Sequence, residues 1–144
     1  MRLPVGACRR GTAAVEFALI APFLLLLLGG IVELGRAVYD SAALAGAARA
    51  GAQYAWIQPN DNAGIVAAAA AASGLPAGSV RVSAPTRFCE CPDGTPSSCD
   101  VACATGALRR FVQIDVQRDF GAITNLLNVA VPSVLTARAI VRTQ

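Results

Sequence analysis

Few residue types in this chain can do chemistry, and they fall in two places. The first is the run Arg9-Arg10-Gly11-Thr12-Ala13-Ala14-Val15-Glu16-Phe17, where a short basic leader meets a long apolar stretch with one glutamate just inside it. A carboxylate at the centre of a membrane helix costs roughly 2.5 to 3.5 kcal/mol, and less near the interface, so Glu16 needs a reason to be there. Two are open: the side chain snorkels to the headgroups, or Gly11 and Glu16 together form a processing and assembly signal. The second place is the set Cys89, Cys91, Cys99 and Cys103, in a stretch rich in proline, glycine and serine. Four thiols can close two disulfides or hold one tetrahedral zinc ion. Their spacings, Cys-x-Cys and Cys-x-x-x-Cys, differ from the two-residue spacers of the commoner zinc knuckles. No Cys-x-x-Cys redox motif is present.

What is missing narrows the chemistry further. The sequence has no histidine and no lysine, which removes serine-histidine-aspartate triads, lysine Schiff bases and most zinc hydrolase sites. The other acids, Glu33, Asp40, Asp61, Glu90, Asp93, Asp100, Asp115 and Asp119, are scattered without an acid-base motif and read as solvated or structural. No enzymatic activity, no cofactor and no resident metal are expected. The net charge of +3 comes from twelve arginines against nine acids. Three of those arginines, Arg2, Arg9 and Arg10, lie in the leader, and the rest of the chain is balanced. The excess therefore argues for a cytoplasmic amino terminus under the positive-inside rule and against nucleic-acid binding.

The elements that must position these residues are few. The 144 residues leave room for one small domain and a membrane helix. Residues 17–32 carry no charge, and with residues 12–16 the segment reaches the length of about twenty residues that spans a bilayer. A conventional signal peptide would be cut soon after its apolar run, whereas the nearest small-residue site, Ala43-Leu44-Ala45, lies far downstream. Cys8 precedes the apolar region, opposite to the order in a lipoprotein. Pro22 and the Gly29-Gly30 pair are soft points, and Pro22 is expected to kink the helix.

Beyond Glu33 a helical pattern continues through Leu34, Val38, Ala42, Ala45, Ala48, Ala52 and Trp56, with Arg36, Asp40 and Arg49 largely elsewhere. One helix over residues 12–57, about 70 Å long, is expected. A second stripe of small residues, Ala43, Ala47, Gly51 and Ala55, would admit either a neighbouring helix or this chain's own sheet. Gln58-Pro59-Asn60-Asp61-Asn62 then makes a turn and a cap, and residues 62–73 read as a short alanine-rich helix closed by Gly74.

Period-two patterns follow at residues 79–88, 108–120 and 133–142. Pro85 marks an edge or a break in the first of these, and Phe111 is the exception on the polar face of the second. The expected fold is α+β: a long amino-terminal helix packed on a small antiparallel sheet of about three strands, with a short second helix. Such a small head has a marginal core, and covalent staples would help it.

Taken in order, the glycine after two arginines, the four small or apolar residues, Glu16, Phe17 and the hydrophobic segment resemble the class III signal of type IV pilin-like proteins. The continuation Val-Glu-Phe-Ala-Leu-Ile-Ala-Pro-Phe-Leu-Leu-Leu-Leu-Leu is similar to the TadE-like minor pilins of the tight-adherence (Tad/Flp) system, and Phe-Cys-Glu-Cys-Pro-Asp-Gly at 88–94 also resembles that family. The resemblance implies a pilin-like fold and a prepilin peptidase that cuts between Gly11 and Thr12, with Glu16 and Phe17 serving recognition and assembly. It divides the chain into a cleaved leader (1–11), a transmembrane segment (12–33) and a periplasmic head (34–144).

Glu16, fifth after the cut, would pair with the amino terminus of an adjacent subunit. Implied partners are the peptidase, other Tad/Flp pilins and pseudopilins, the inner-membrane assembly platform and membrane lipid. The implied location is the bacterial inner membrane, with possible entry into a pilus or its tip. Cys8 would leave with the leader, so the four remaining cysteines form an even set in an oxidising compartment. Two disulfides are expected, in any of three pairings, with zinc as the competing reading. From a different class comes the alternative of an unprocessed single-pass anchored module whose head binds a ligand.

Overall fold

The computed structural model describes residues 10–104, 106–122 and 132–143; the leader through Arg9, Cys8 within it, and most of the loop after Phe120 lie outside the described residues. Helix α1, Arg10–Ile57, runs 48 residues and takes Pro22 within it. Leucine and alanine dominate its sequence, and neither loses much freedom in a helix. It stops where Pro59 disfavours helical geometry in the residue before it. Helix α2, Asn62–Ala72, starts at an aspartate cap: the Asp61 carboxylate accepts from the Gly64 amide at 2.9 Å and from the Tyr54 hydroxyl at 2.7 Å. Gly64 leaves no room for a side chain, because a Cβ there would strike the Tyr54 ring. Gly74, with φ +63°, turns the chain out of the helix in the left-handed region.

The sheet is antiparallel and has five strands, not about three: β1 Arg81–Val82, β2 Thr86–Glu90, β3 Pro96–Ser97, β4 Arg109–Asp119 and β5 Val134–Thr143. The two extra strands have separate causes. Arg81 pairs with Gln117 and Val82 with Val116, whereas Thr86 pairs with Gln113, so three residues on one side face two on the other. That is a bulge, at Ser83-Ala84-Pro85, and it divides what the alternation marks as one strand into β1 and β2. Pro85, which cannot donate to the ladder, sits in it. β3 pairs only with the end of β2, inside the cysteine stretch, where no alternation announces it. β4 lies at the centre, with β1 and β2 along one side and β5 in unbroken register along the other.

The inner face of β4, through Val112, Ile114, Val116 and then Phe120, is buried against α1, as the alternation implies. On the outer face Phe111 is accounted for: its ring stacks on that of Phe88 across the β2–β4 pair, centroids 5.2 Å apart. The face of α1 that meets the sheet differs from the expected one. Ala37, Leu44, Ala47, Ala48, Ala52 and Ala55 are buried together with Glu33 and Asp40, while Leu34, Val38 and Trp56 are more than half exposed. Of the two stripes, the one holding Ala47, Gly51 and Ala55 packs on this chain's own head. A Cβ on Gly51 would lie 3.1 Å from Ala69 Cβ and 3.4 Å from Ile114 Cγ2, so α1, α2 and β4 converge there. The hydrophobic cluster closes with Ile65 of α2 and Leu135 of β5.

Candidate functional site

The residues singled out by the sequence occupy the two ends of the molecule. At one end, α1 leaves the head and runs on alone. Every residue from 11 to 20 is exposed, and the stretch through Leu28 stays open apart from a half-covered Ala21. Among the described residues this is the one helix long and apolar enough to cross a membrane. Gly11 is the second described residue of α1. Nothing stands within 4 Å of a Cβ placed on Gly11. Glu16 is one turn beyond Thr12, so the two share a face, and helical side chains lean toward the amino terminus. The Glu16 carboxylate is thus carried back toward the nitrogen of Thr12. Phe17 is 67% exposed beside it.

Glu16 and Glu33 bracket the charge-free run. They are separated by about 26 Å along the axis, close to the hydrocarbon thickness of a bilayer. The two ends are not alike. Glu16 is open, whereas Glu33 is 1% exposed and enclosed by the protein. One and two turns further on, the head is clamped to the helix. Asp40 Oδ1 accepts from Arg118 Nη1 at 2.8 Å in a mostly buried ion pair, and the Arg36 guanidinium sits 5.6 Å from the centre of the Phe120 ring.

Sequence reasoning missed this clamp because it read the scattered acids as solvated or structural without assigning Asp40 a partner. The signal was available in the spacing: Glu33, Ala37, Asp40, Leu44, Ala47, Gly51 and Ala55 recur at three and four residues, as one face of a helix requires.

At the other end, beyond Ile57, lies the cysteine segment. Cys89 bonds Cys99 and Cys91 bonds Cys103, with Cα–Cα distances of 5.2 and 5.6 Å. All four sulfurs are consumed pairwise, which leaves no thiolate set for zinc. The β2–β3 turn between them is tight: the Cys91 amide donates to the Thr95 carbonyl, the Gly94 amide donates to the Cys91 carbonyl, and Gly94 takes φ +85°. Asp93 accepts from both the hydroxyl and the amide of Thr95, and these bonds hold its carboxyl below the usual range. Asp61 is lowered by the Gly64 amide and the Tyr54 hydroxyl, and Asp115 by Arg138 and Gln113. Each of these groups closes a turn, a cap or a cross-strand pair, and Asp115 with Arg138 also lines a hollow beside Ser83 and Thr136.

Comparison with curated proteins and with solved structures found no match. The model of the family described as TadE-like protein matches residues 11–53. The match opens on Gly11, takes in Glu16, the apolar run and Glu33, and ends within the part of α1 that packs on the head. Over residues 11–53, this chain is similar to the TadE-like protein family.

Proposed function

We propose that the protein is a minor pilin, or pseudopilin, of a Tad-type pilus. It is held in the inner membrane by α1 with its basic end in the cytoplasm, and cut between Gly11 and Thr12 by a prepilin peptidase. Its role is structural and not enzymatic: the processed subunit takes part in building an adhesive Flp/type IVb pilus with other Tad pilins and the assembly platform. The observation that carries this reading is the register of the family match, which begins at Gly11, together with a carboxylate five positions later at the open end of a lone apolar helix.

Cleavage creates an ammonium group at Thr12. Glu16, whose charge is costly beside lipid, gains a partner of opposite sign from the amine of an adjacent subunit, and that pairing sets axial register during assembly. A disulfide-stapled head suits a priming, tip or adhesion-related position better than the shaft. The deciding experiment is coexpression with the cognate prepilin peptidase, followed by amino-terminal sequencing of membrane-extracted protein. The expected product begins at Thr12, and Gly11→Ala stays uncut. Because a methyl at Gly11 meets nothing, that variant tests recognition and not folding. A wild-type amino terminus left unchanged by an active peptidase would refute the reading and favour an unprocessed anchored binding module.

A further inference from the structure

The end of the sheet farthest from the apolar run holds a pocket of about 180 Å³ under the α1–α2 turn. Pro59 and Asn60 form its roof. Val112 and the Cys89–Cys99 disulfide lie beneath, on the inner face of the sheet, where Arg87 pairs across to Val112 and Cys89 to Arg110. Both arginines line it. Arg87 is fixed in place: its Nε and Nη2 donate to the Pro59 carbonyl and Nη2 also to Asn62 Oδ1. These bonds spare Nη1 among the donors of its guanidinium. Arg110 carries a full guanidinium, and no carboxylate among the described residues pairs with it. Asp61 and Asp100, the acids adjacent in sequence to the turn and to Cys99, are absent from the lining. Asp61 is already engaged by Tyr54 and Gly64.

Two arginines line one cavity, and among the described residues no carboxylate lines it with them, so their charges repel each other and attract an anion. A guanidinium presents a planar fork of donors that matches a carboxylate in two-point geometry. Pro59, Val112, the disulfide and parts of Phe88 and Phe111 supply apolar surface against which a small carbon body can rest, and Thr143 adds a polar edge. The volume is below that of pockets for drug-sized ligands and suits one residue or one sugar ring.

We propose that this pocket is a binding site for a single carboxylate-bearing unit, held by Arg110 and Arg87, of the kind offered by a peptide carboxy terminus or a uronic acid. The disulfide makes the site conditional on oxidation, since Cys89 belongs both to the pocket and to the staple.

The test uses the isotope-labelled full chain in detergent micelles, titrated with N-acetylalanine, galacturonate or inorganic phosphate and followed through backbone amide shifts. Saturable shifts at Asn60, Arg110 and Val112 are expected with at least one of the two carboxylates, and which of them binds identifies the source. Arg110→Gln should weaken that binding about ten-fold or more. Arg109→Gln removes the same charge one residue away, on the outer face opposite Glu90, and should leave binding within about two-fold. Arg87→Gln should also lose binding; because Arg87 braces the turn, that loss counts only where the rest of the spectrum is retained, and Arg110→Gln decides otherwise. The proposal is overturned if neither carboxylate gives saturable shifts, if phosphate binds more tightly than both, or if Arg109→Gln weakens binding as much as Arg110→Gln.

Discussion

The Asp40–Arg118 pair should be the strongest single polar tie between α1 and the sheet. Three ion pairs in the head have similar N···O distances, 2.6 to 2.8 Å, yet they differ in exposure. The side chains of Asp40 and Arg118 are 9% and 20% exposed, whereas those of Asp119 and Arg81 are 65% and 57% exposed. At 2.8 Å and an effective dielectric near 20, the Coulomb attraction is about 6 kcal/mol before desolvation is counted. Breaking a buried pair by removing one partner typically costs about 3 to 5 kcal/mol, and the remaining exposure of Arg118 places this one at the low end.

Asp40→Asn, which keeps the shape and removes the charge, should therefore destabilise the head by about 3 kcal/mol. For a domain of this size that is a fall in Tm of roughly 12 °C or more. The assay is thermal or urea unfolding of the micelle-bound chain, followed by near-ultraviolet circular dichroism, as a double-mutant cycle with Arg118→Gln. The expected coupling is about 2 kcal/mol. The matching cycle on Arg81 and Asp119 should give no more than about 0.5 kcal/mol, because solvent screens that pair. A coupling for Asp40 and Arg118 no larger than that of the exposed pair would refute the reasoning that burial sets the difference.

Four other outcomes follow from the same structure. Intact-mass measurement under non-reducing denaturing conditions should show the chain four hydrogens lighter than its fully reduced mass, and removing either bridge should cost about 3 kcal/mol, from closure of loops 10 and 12 residues long; full-mass thiols with bound zinc would contradict the pairing. Acid should unfold the head only below the ordinary carboxylate range: the carboxyls of Asp61, Asp93 and Asp115 are lowered in the fold, so their stabilisation is full above their unfolded values and is lost as pH falls through the folded ones. Asp115→Asn should flatten that acid limb in a Tm-against-pH series, and an unchanged limb would remove Asp115 from the account. Gly51→Leu should destabilise by at least about 3 kcal/mol by forcing α1 away from Ala69 and Ile114, with wild-type stability counting against the close approach. Glu16→Ala should leave peptidase cleavage largely intact while sharply reducing piliation, and normal piliation would end the proposed amine pairing.

Much of this fold is legible in the sequence because its signals are local. The long helix follows from leucine and alanine content that carries it through Pro22 as far as Pro59, and β4 and β5 follow from alternation over ten or more residues, Phe111 apart. The bulge was only half legible. Pro85 announced a break, but the one-residue slip depends on which residues of β4 stand opposite, and that is settled across the sheet. β3 was not legible, since two residues inside a proline- and serine-rich loop form a strand only because Cys89 and Cys91 are tied beside it. The face of α1 was misjudged for another reason. With alanine, leucine, valine and glycine on every side, the helix has little amphipathic contrast, and the choice of face falls to Asp40, which has a partner in Arg118 seventy-eight residues away.

That misjudged face alters what the exposed one means. Leu34, Val38, Tyr39, Trp56 and Ile57 stay more than half exposed on the part of α1 that already carries the head. Scattered apolar residues on a surface need no explanation, but these line one helix in continuation of the bare apolar run below it. A helix covered by its head along one side and left largely apolar along the other, with Arg49 and Gln53 the exposed polar residues near Trp56, is suited to side-by-side packing with other long helices. The acids sort in the same way. Glu33 and Asp40 are buried in the chain's own fold, and Glu16 is the exposed carboxylate of α1, the one that the proposed subunit pairing would neutralise. Burial of the two upper acids thus makes Glu16 the charge through which assembly can be told from insertion. Substituting it changes nothing that the head needs in order to fold, so a loss of fibres with an intact head would report on contacts between subunits.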